Sequence, residues 1–154
     1  MKSRTRREVD RQPKATDWPD VPAARRRTMR AIKGKNTKPE LLLRSMLHKA
    51  GYRFRLHRKD LPGRPDITFP SRHRVIEVRG CWWHRHADCR HCTTPRTRQE
   101  YWLPKFARNQ ARDAANEAAL RALGWDVLVV WECELADAER LLNRVVRFLH
   151  LGEC

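Results

Sequence analysis

Pro65-Asp66-Ile67-Thr68-Phe69-Pro70-Ser71-Arg72-His73-Arg74-Val75-Ile76-Glu77-Val78-Arg79-Gly80-Cys81 decides how the chain is expected to fold. Asp66 to Phe69 reads as a short strand, Ser71 to Arg74 as a polar hairpin-like link, and Val75 to Val78 as its partner strand. Upstream, Pro62-Gly63 marks a turn and Tyr52 to Leu56 alternates apolar with basic residues, a further strand. Thr37-Lys38-Pro39-Glu40 has the spacing of a capping box with Pro in the first turn. Leu41, Leu42, Leu43, Met46 and Leu47 give the following helix an apolar stripe, and Gly51 ends it. Before it, Arg25, Arg26, Arg27 and Arg30 surround Met29 and Ile32 in a short helix closed by Gly34. Downstream, Thr97 to Glu100 repeats the capping pattern, but Pro104 breaks it. One turn near Glu100 to Trp102 is expected, then a helix from Pro104 to Leu123 closed by Gly124. Asp126 to Trp131 is almost continuously apolar, as a central strand should be. Residues 135–149 repeat apolar side chains at helical spacing. The order is helix, three strands, helix, strand, helix, which makes a mixed α/β layer fold.

The chain has 154 residues, a length for one domain. Residues 1–24 read as a flexible basic arm and 25–154 as that domain. Lys and Arg number 34 against 18 Asp and Glu, a net charge of +16, and 26 of the 34 are Arg. Such a surplus calls for a polyanion, and guanidinium suits phosphate and guanine. No apolar run reaches membrane-spanning length, and no basic amphipathic helix stands out, so membrane partners are not expected. The charged start leads into no hydrophobic signal region, so secretion is not indicated and a cytoplasmic, nucleoid-associated location is expected.

Asp66 and Glu77 lie at the start of one strand and inside its neighbour, and Glu77 and Arg79 share a strand face. Two carboxylates with a main-chain carbonyl beside them can hold Mg²⁺ against a phosphate and lower the pKa of a bound water. This is the layout of the PD-(D/E)xK nucleases, with Arg79 where Lys is usual. Glu40 either completes the Thr37 capping box or aims at that metal from the first main helix.

Gly80-Cys81-Trp82-Trp83-His84-Arg85-His86-Ala87-Asp88-Cys89-Arg90-His91-Cys92 packs three Cys and three His into thirteen residues. Five Cys with neighbouring His, in a chain expected to be intracellular, favour a metal over a disulfide frame. Cys81, His86 and Cys89 can wrap a structural Zn²⁺, with Cys133 as the fourth ligand; Cys92 rivals Cys89, and Cys154 is a bystander. His84 is left to act as a base near neutrality. Adjacent Trp82 and Trp83 in an extended segment would point opposite ways, so both are hard to bury in one core. They could instead wedge between base pairs, with Met29 entering from the other groove.

Thr28 to Ile32, Leu61 to Asp66, Gly80 to His86 with Cys89, Thr94-Pro95 with Thr97-Arg98, Tyr101-Trp102, Gly124-Trp125 and Val130 to Cys133 together resemble the very short patch repair (Vsr) endonucleases. The resemblance spans about residues 25–135. It implies a restriction-endonuclease-like mixed central sheet flanked by helices, with a structural zinc loop. It implies an enzyme that nicks duplex DNA 5′ to the thymine of a T:G mismatch left by 5-methylcytosine deamination, acting as a monomer and linked functionally to a cytosine-5 DNA methyltransferase. Carried over, Asp66 is the Mg²⁺ ligand with the Val78 carbonyl, and His84 is the general base. Glu40 falls on a family helix glutamate. Cys81, His86, Cys89 and Cys133 fall on the zinc ligands, and Trp82, Trp83 and Met29 on intercalating positions. Arg25, Arg26, Arg27 and Arg30 form a basic DNA-facing run. Two positions depart: Glu77 replaces an apolar residue, and Arg79 replaces a second catalytic His. Glu77 could add a carboxylate ligand, and Arg79 could offset charge on the phosphate but cannot serve as a base. Two other readings remain: a sequence-specific restriction-type nuclease without mismatch preference, and a non-catalytic zinc-containing DNA-binding module.

Overall fold

The computed structural model describes residues 18–32 and 34–151. They fall into two units, one ending at Gly34 and one beginning at Lys35. Most of the basic arm expected over 1–24, and Cys154, lie outside the described residues.

In the first unit, helix α1 spans Ala23–Ala31 and buries no residue. The Arg26 guanidinium donates to the Trp18 carbonyl at 3.3 Å. Arg25, Arg27 and Arg30 are exposed, while Met29 is half-buried.

The second unit begins with α2, Lys38–Lys49. The Thr37 N–H donates to the Glu40 carboxylate at 3.3 Å, the glutamate half of the expected capping box. At the other end Gly51 takes φ +88°, and the N–H groups of Gly51 and Tyr52 donate back to the His48 and Leu47 carbonyls, each at 3.0 Å. That is a Schellman closure, which needs a left-handed residue and explains the glycine. Gly124 closes α4 (Gln99–Ala122) in the same way, with the Trp125 N–H reaching the Leu120 carbonyl at 3.0 Å.

Strands β1 (Arg55–Leu56), β2 (Ile67–Phe69), β3 (Arg74–Arg79) and β4 (Asp126–Trp131) form one sheet in that order. The first two pairings are antiparallel and β3–β4 is parallel. A single 3₁₀ turn over Pro70–Arg72, with His73 left-handed, reverses the chain between β2 and β3. The one-turn helix α3 (Cys81–His84) and the long α4 make the crossover that parallel pairing requires. A 3₁₀ turn (Glu132–Ala136) and α5 (Ala138–His150) complete the chain.

One core joins Leu43 and Leu47 of α2, Ile67 and Phe69, Ile76, Val130 and the α5 residues Leu141, Val145 and Leu149. On the opposite face Val75, Leu120, Trp125 and Leu61 form a second, smaller cluster. The sheet is thus covered on both sides. The expected mixed α/β sheet between helices is what the residues form.

Three local expectations are corrected. The Tyr52 to Leu56 strand shortens to two residues, although Tyr52 and Phe54 still pack on the core. The segment Asp126–Trp131 is the sheet's edge, not a central strand. Its continuous apolar run reflects cover on both faces, since Leu128 and Val130 meet one core and Val127 the other. Finally, α4 runs unbroken through Pro104, and no side chain caps its start at Arg98. A helix-interior Pro costs roughly 3 kcal/mol. Trp102 and Phe106, buried on either side of it, stack with ring centroids 5.9 Å apart and hold the turn in register.

Candidate active site and metal centre

The antiparallel register pairs Ile67 with Ile76, so continuing it by one residue sets Asp66 opposite Glu77. Asp66 is anchored across the strands: the Val78 N–H donates to its Oδ2 at 2.8 Å. Burial nevertheless pushes its carboxyl up to about 7; the Val78 N–H opposes that rise, while the charges of Glu40 and Glu77 add to it. Glu77 is likewise pushed up by burial, against the pull of Arg79, with Glu117 and Asp113 adding repulsion. Two carboxylates opposite one another in the register, both made reluctant to ionise chiefly by burial, suit a cation. A hard divalent ion fits that chemistry.

Arg79 is buried, and its Nη2 donates to Glu77 Oε2 at 2.5 Å and to Glu117 Oε1 at 2.6 Å. It fixes Glu77 against α4. Glu40 is also fully engaged. Its Oε1 accepts from the Thr37 hydroxyl (2.9 Å) and N–H (3.3 Å), and its Oε2 from the Asn36 N–H (2.9 Å) and Arg44 Nη2 (2.7 Å). Four donors fill the four lone-pair positions of a carboxylate. Glu40 therefore acts on Asp66 through its charge.

His84 ends the helical turn α3, where its N–H donates to the Gly80 carbonyl at 3.1 Å. Its Nδ1 meets Asp113 Oδ2 at 2.5 Å. Burial alone would raise Asp113, but the His84 hydrogen bond and the positive charges of His84, Arg79 and Arg112 hold it below the usual carboxylate range. An Nδ1–H donated to Asp113 leaves Nε2 as the acceptor, the tautomer a base requires. Glu77, opposite Asp66 in the register, is held by Arg79, which also binds Glu117 of α4, the helix that carries Asp113.

Asp113, Glu117, Arg44 and His57 were not singled out from the sequence. Asp113 and Glu117 had a readable signal: both fall in helical phase with the buried Trp102, Phe106 and Leu120, where a carboxylate needs a partner. His57 and Arg44 carry no such mark.

The sulfurs of Cys81, Cys89 and Cys133 and a ring nitrogen of His86 lie within 4.8 Å of one another. Nδ1 is that nitrogen, 3.6 Å from Cys81 Sγ and 3.4 Å from Cys133 Sγ. The imidazole stacks on Trp131, centroids 4.2 Å apart, which fixes its plane. Burial and the neighbouring thiols push Cys81 up to about 12. Three crowded thiols and one imidazole fit a closed tetrahedral cation site. Cys92 stands outside this group, and only its N–H reaches back, to the Cys89 carbonyl at 2.9 Å.

Trp82 and Trp83 do share one cluster, because they sit on a helical turn and not in an extended segment. Trp82 packs edge-on against Trp83, Trp102 and Phe106 at 4.6, 5.0 and 4.9 Å. Both remain half-buried.

Comparison with known proteins identifies the family. The family model described as DNA mismatch endonuclease Vsr matches residues 19–91. A relative from Xanthomonas oryzae pv. oryzae, the type II nicking enzyme V.XorIIP, is 55% identical over 83% of this chain and 93% of its own length. The DNA mismatch endonuclease Vsr of Escherichia coli is 41% identical over 80% of this chain and 79% of its own. In fold, the chain is similar to the catalytic domain of the homing endonuclease I-Bth0305I, with a TM-score of 0.53 at 16% identity, over 77% of this chain and all of that domain. With relatives this similar over most of both chains, the protein belongs to the Vsr family of DNA endonucleases.

Proposed function

We propose that this endonuclease nicks duplex DNA 5′ to the thymine of a T:G mismatch by Mg²⁺-assisted phosphodiester hydrolysis. The observation that carries the proposal is that β3, which holds Asp66 through the Val78 N–H at 2.8 Å, leads directly into the turn on which His84 Nδ1 meets Asp113 Oδ2 at 2.5 Å. Asp66, Glu77 and the Val78 carbonyl would hold the ion. When bound, Mg²⁺ polarises the phosphoryl oxygen and acidifies a water. His84 Nε2 takes the proton that the attacking water loses, and Asp113 steadies the imidazolium so formed. Arg79 keeps Glu77 aimed and limits the repulsion among the carboxylates. Glu40 adds negative charge beside Asp66, which favours the cation.

In the same reading the Cys81, His86, Cys89 and Cys133 group holds Zn²⁺ for structure alone. Trp82, Trp83 and Met29 open the duplex beside the mismatch, at a cost of a few kcal/mol in unstacking. The exposed arginines of α1 bind phosphates. Generation of the mismatch by deamination links the enzyme to a cytosine-5 methyltransferase, and single-strand cutting by one site suits a monomer.

The test is cleavage of strand-labelled duplexes carrying T:G, each other mismatch, or none, with Mg²⁺ or with chelator. A single Mg²⁺-dependent cut 5′ to the mismatched thymine is expected, absent in Asp66→Asn protein that still binds the duplex. Equal cutting of matched DNA would replace the mismatch reading with a restriction-type one.

A further inference from the structure

We propose that His57 is a positioning residue that steadies Asp66 for the divalent ion while staying outside its coordination sphere. The inference rests on the metal reading of Asp66 above.

His57 lies in the segment entering the Pro62-Gly63 turn, with its backbone left-handed at φ +45°. That conformation is uncommon outside glycine though histidine adopts it more readily than most, and the imidazole lies between two carboxylates. Nε2 lies 3.7 Å from Glu40 Oε2, and Nδ1 lies 3.7 Å from Asp66 Oδ1. By distance alone, Glu40, His57 and Asp66 form a three-ligand group, with donor atoms within 4.8 Å of one another.

Arg44 decides against that reading. It is buried, and its Nη2 stands 3.0 Å from His57 Nε2. A guanidinium has only donors, so Nε2 must accept and the ring proton must sit on Nδ1. Arg44 itself is held by Asn36 Oδ1 at 2.7 Å and Glu40 Oε2 at 2.7 Å. The helix cap thereby sets the tautomer of His57, and the Nδ1–H faces the Asp66 oxygen that Val78 leaves open. A protonated ring nitrogen cannot ligate, and Glu40 has no lone pair left to offer. At 3.7 Å the Nδ1–H stands beyond hydrogen-bond reach of Asp66 Oδ1 and acts on it as a facing dipole, while the Val78 N–H bonds Oδ2 at 2.8 Å. Losing an outer partner of this kind typically weakens metal binding by about 10- to 100-fold.

The experiment titrates Mn²⁺ into the full-length protein by electron paramagnetic resonance, alongside nicking at varied Mg²⁺. Wild type is compared with His57→Gly, which keeps the left-handed backbone unstrained, and with His57→Asn, which tolerates it and restores an N–H. Mn²⁺ affinity should fall about tenfold in His57→Gly and largely recover in His57→Asn. The Mg²⁺ concentration for half-maximal nicking should follow, with the rate at saturating Mg²⁺ little changed. Bound Mn²⁺ should show no directly coordinated imidazole nitrogen. Unchanged affinity in a folded His57→Gly protein, or a nitrogen coupling lost in His57→Asn, overturns the proposal. Wild type that binds no Mn²⁺ overturns the metal reading of Asp66 itself, and His57's role falls with it.

Discussion

At the scale of single residues, the proposed chemistry depends on side chains whose orientation and tautomer a neighbour sets. In the proposed function His84 serves as the base, with Asp113 on Nδ1 at 2.5 Å leaving Nε2 open. Replacing Asp113 with Asn leaves the shape but removes the charge that stabilises the imidazolium. Single-turnover nicking by Asp113→Asn is expected to fall by roughly a hundredfold, in the range of general acid–base contributions. Duplex affinity should stay near wild type; an unchanged rate would separate His84 from the chemistry. Asp66, Glu77 and His84 were legible in the sequence because carboxylates around a turn and a His in a Cys-rich loop are unusual company. Asp113 was less so, although its place on the buried stripe of α4 was a usable sign. His57 left no trace in periodicity or motif. Its position follows from a left-handed backbone and from Arg44, eight residues along from its partner Asn36.

At the scale of elements, the loop after β3 is tied back to the sheet through Cys133, in the 3₁₀ turn directly after β4. The parallel β3–β4 register pairs Arg79 with Trp131, so both ends of the tie leave the same, C-terminal end of the two strands. The turn presenting His84, Trp82 and Trp83 therefore depends on this cluster for its position. Cys133→Ser is expected to release bound zinc, measured by native mass spectrometry, and to lower the thermal midpoint of the purified protein. Full zinc content in that variant would contradict the assigned ligand set. Helix termini were well predicted where a glycine closes them, at Gly51 and Gly124, since only the left-handed closure satisfies those carbonyls. Pro104 misled the reading of α4. A local rule against Pro was outweighed by aromatic burial at Trp102 and Phe106, which only tertiary packing reveals. The apolar run of β4 misled in the same way, since cover on both faces can be supplied by helices at a sheet's edge as well as at its centre.

At the scale of the whole molecule, a net charge of +16 draws the protein to nucleic acid of any sequence, and the half-buried Asp66 and Glu77 are an acidic exception within that field. Non-specific attraction brings the backbone near, and in the proposed function a divalent cation at Asp66 and Glu77 then lets a phosphate approach. Among the described residues no helix is long and apolar enough to cross a membrane. The fold class was readable from the order of elements, whereas the meeting of β2, β3 and α4 at Glu77 needed the three-dimensional arrangement. The account stands on Asp66 and His84 addressing one phosphodiester across one divalent ion. An anomalous difference map from crystals of the enzyme with T:G duplex and Mn²⁺ measures this directly. The expected result is one peak in direct contact with Asp66, a phosphate oxygen on the same ion, and His84 Nε2 facing that phosphate. A peak seated away from Asp66, or a phosphate bound out of reach of His84, would contradict it.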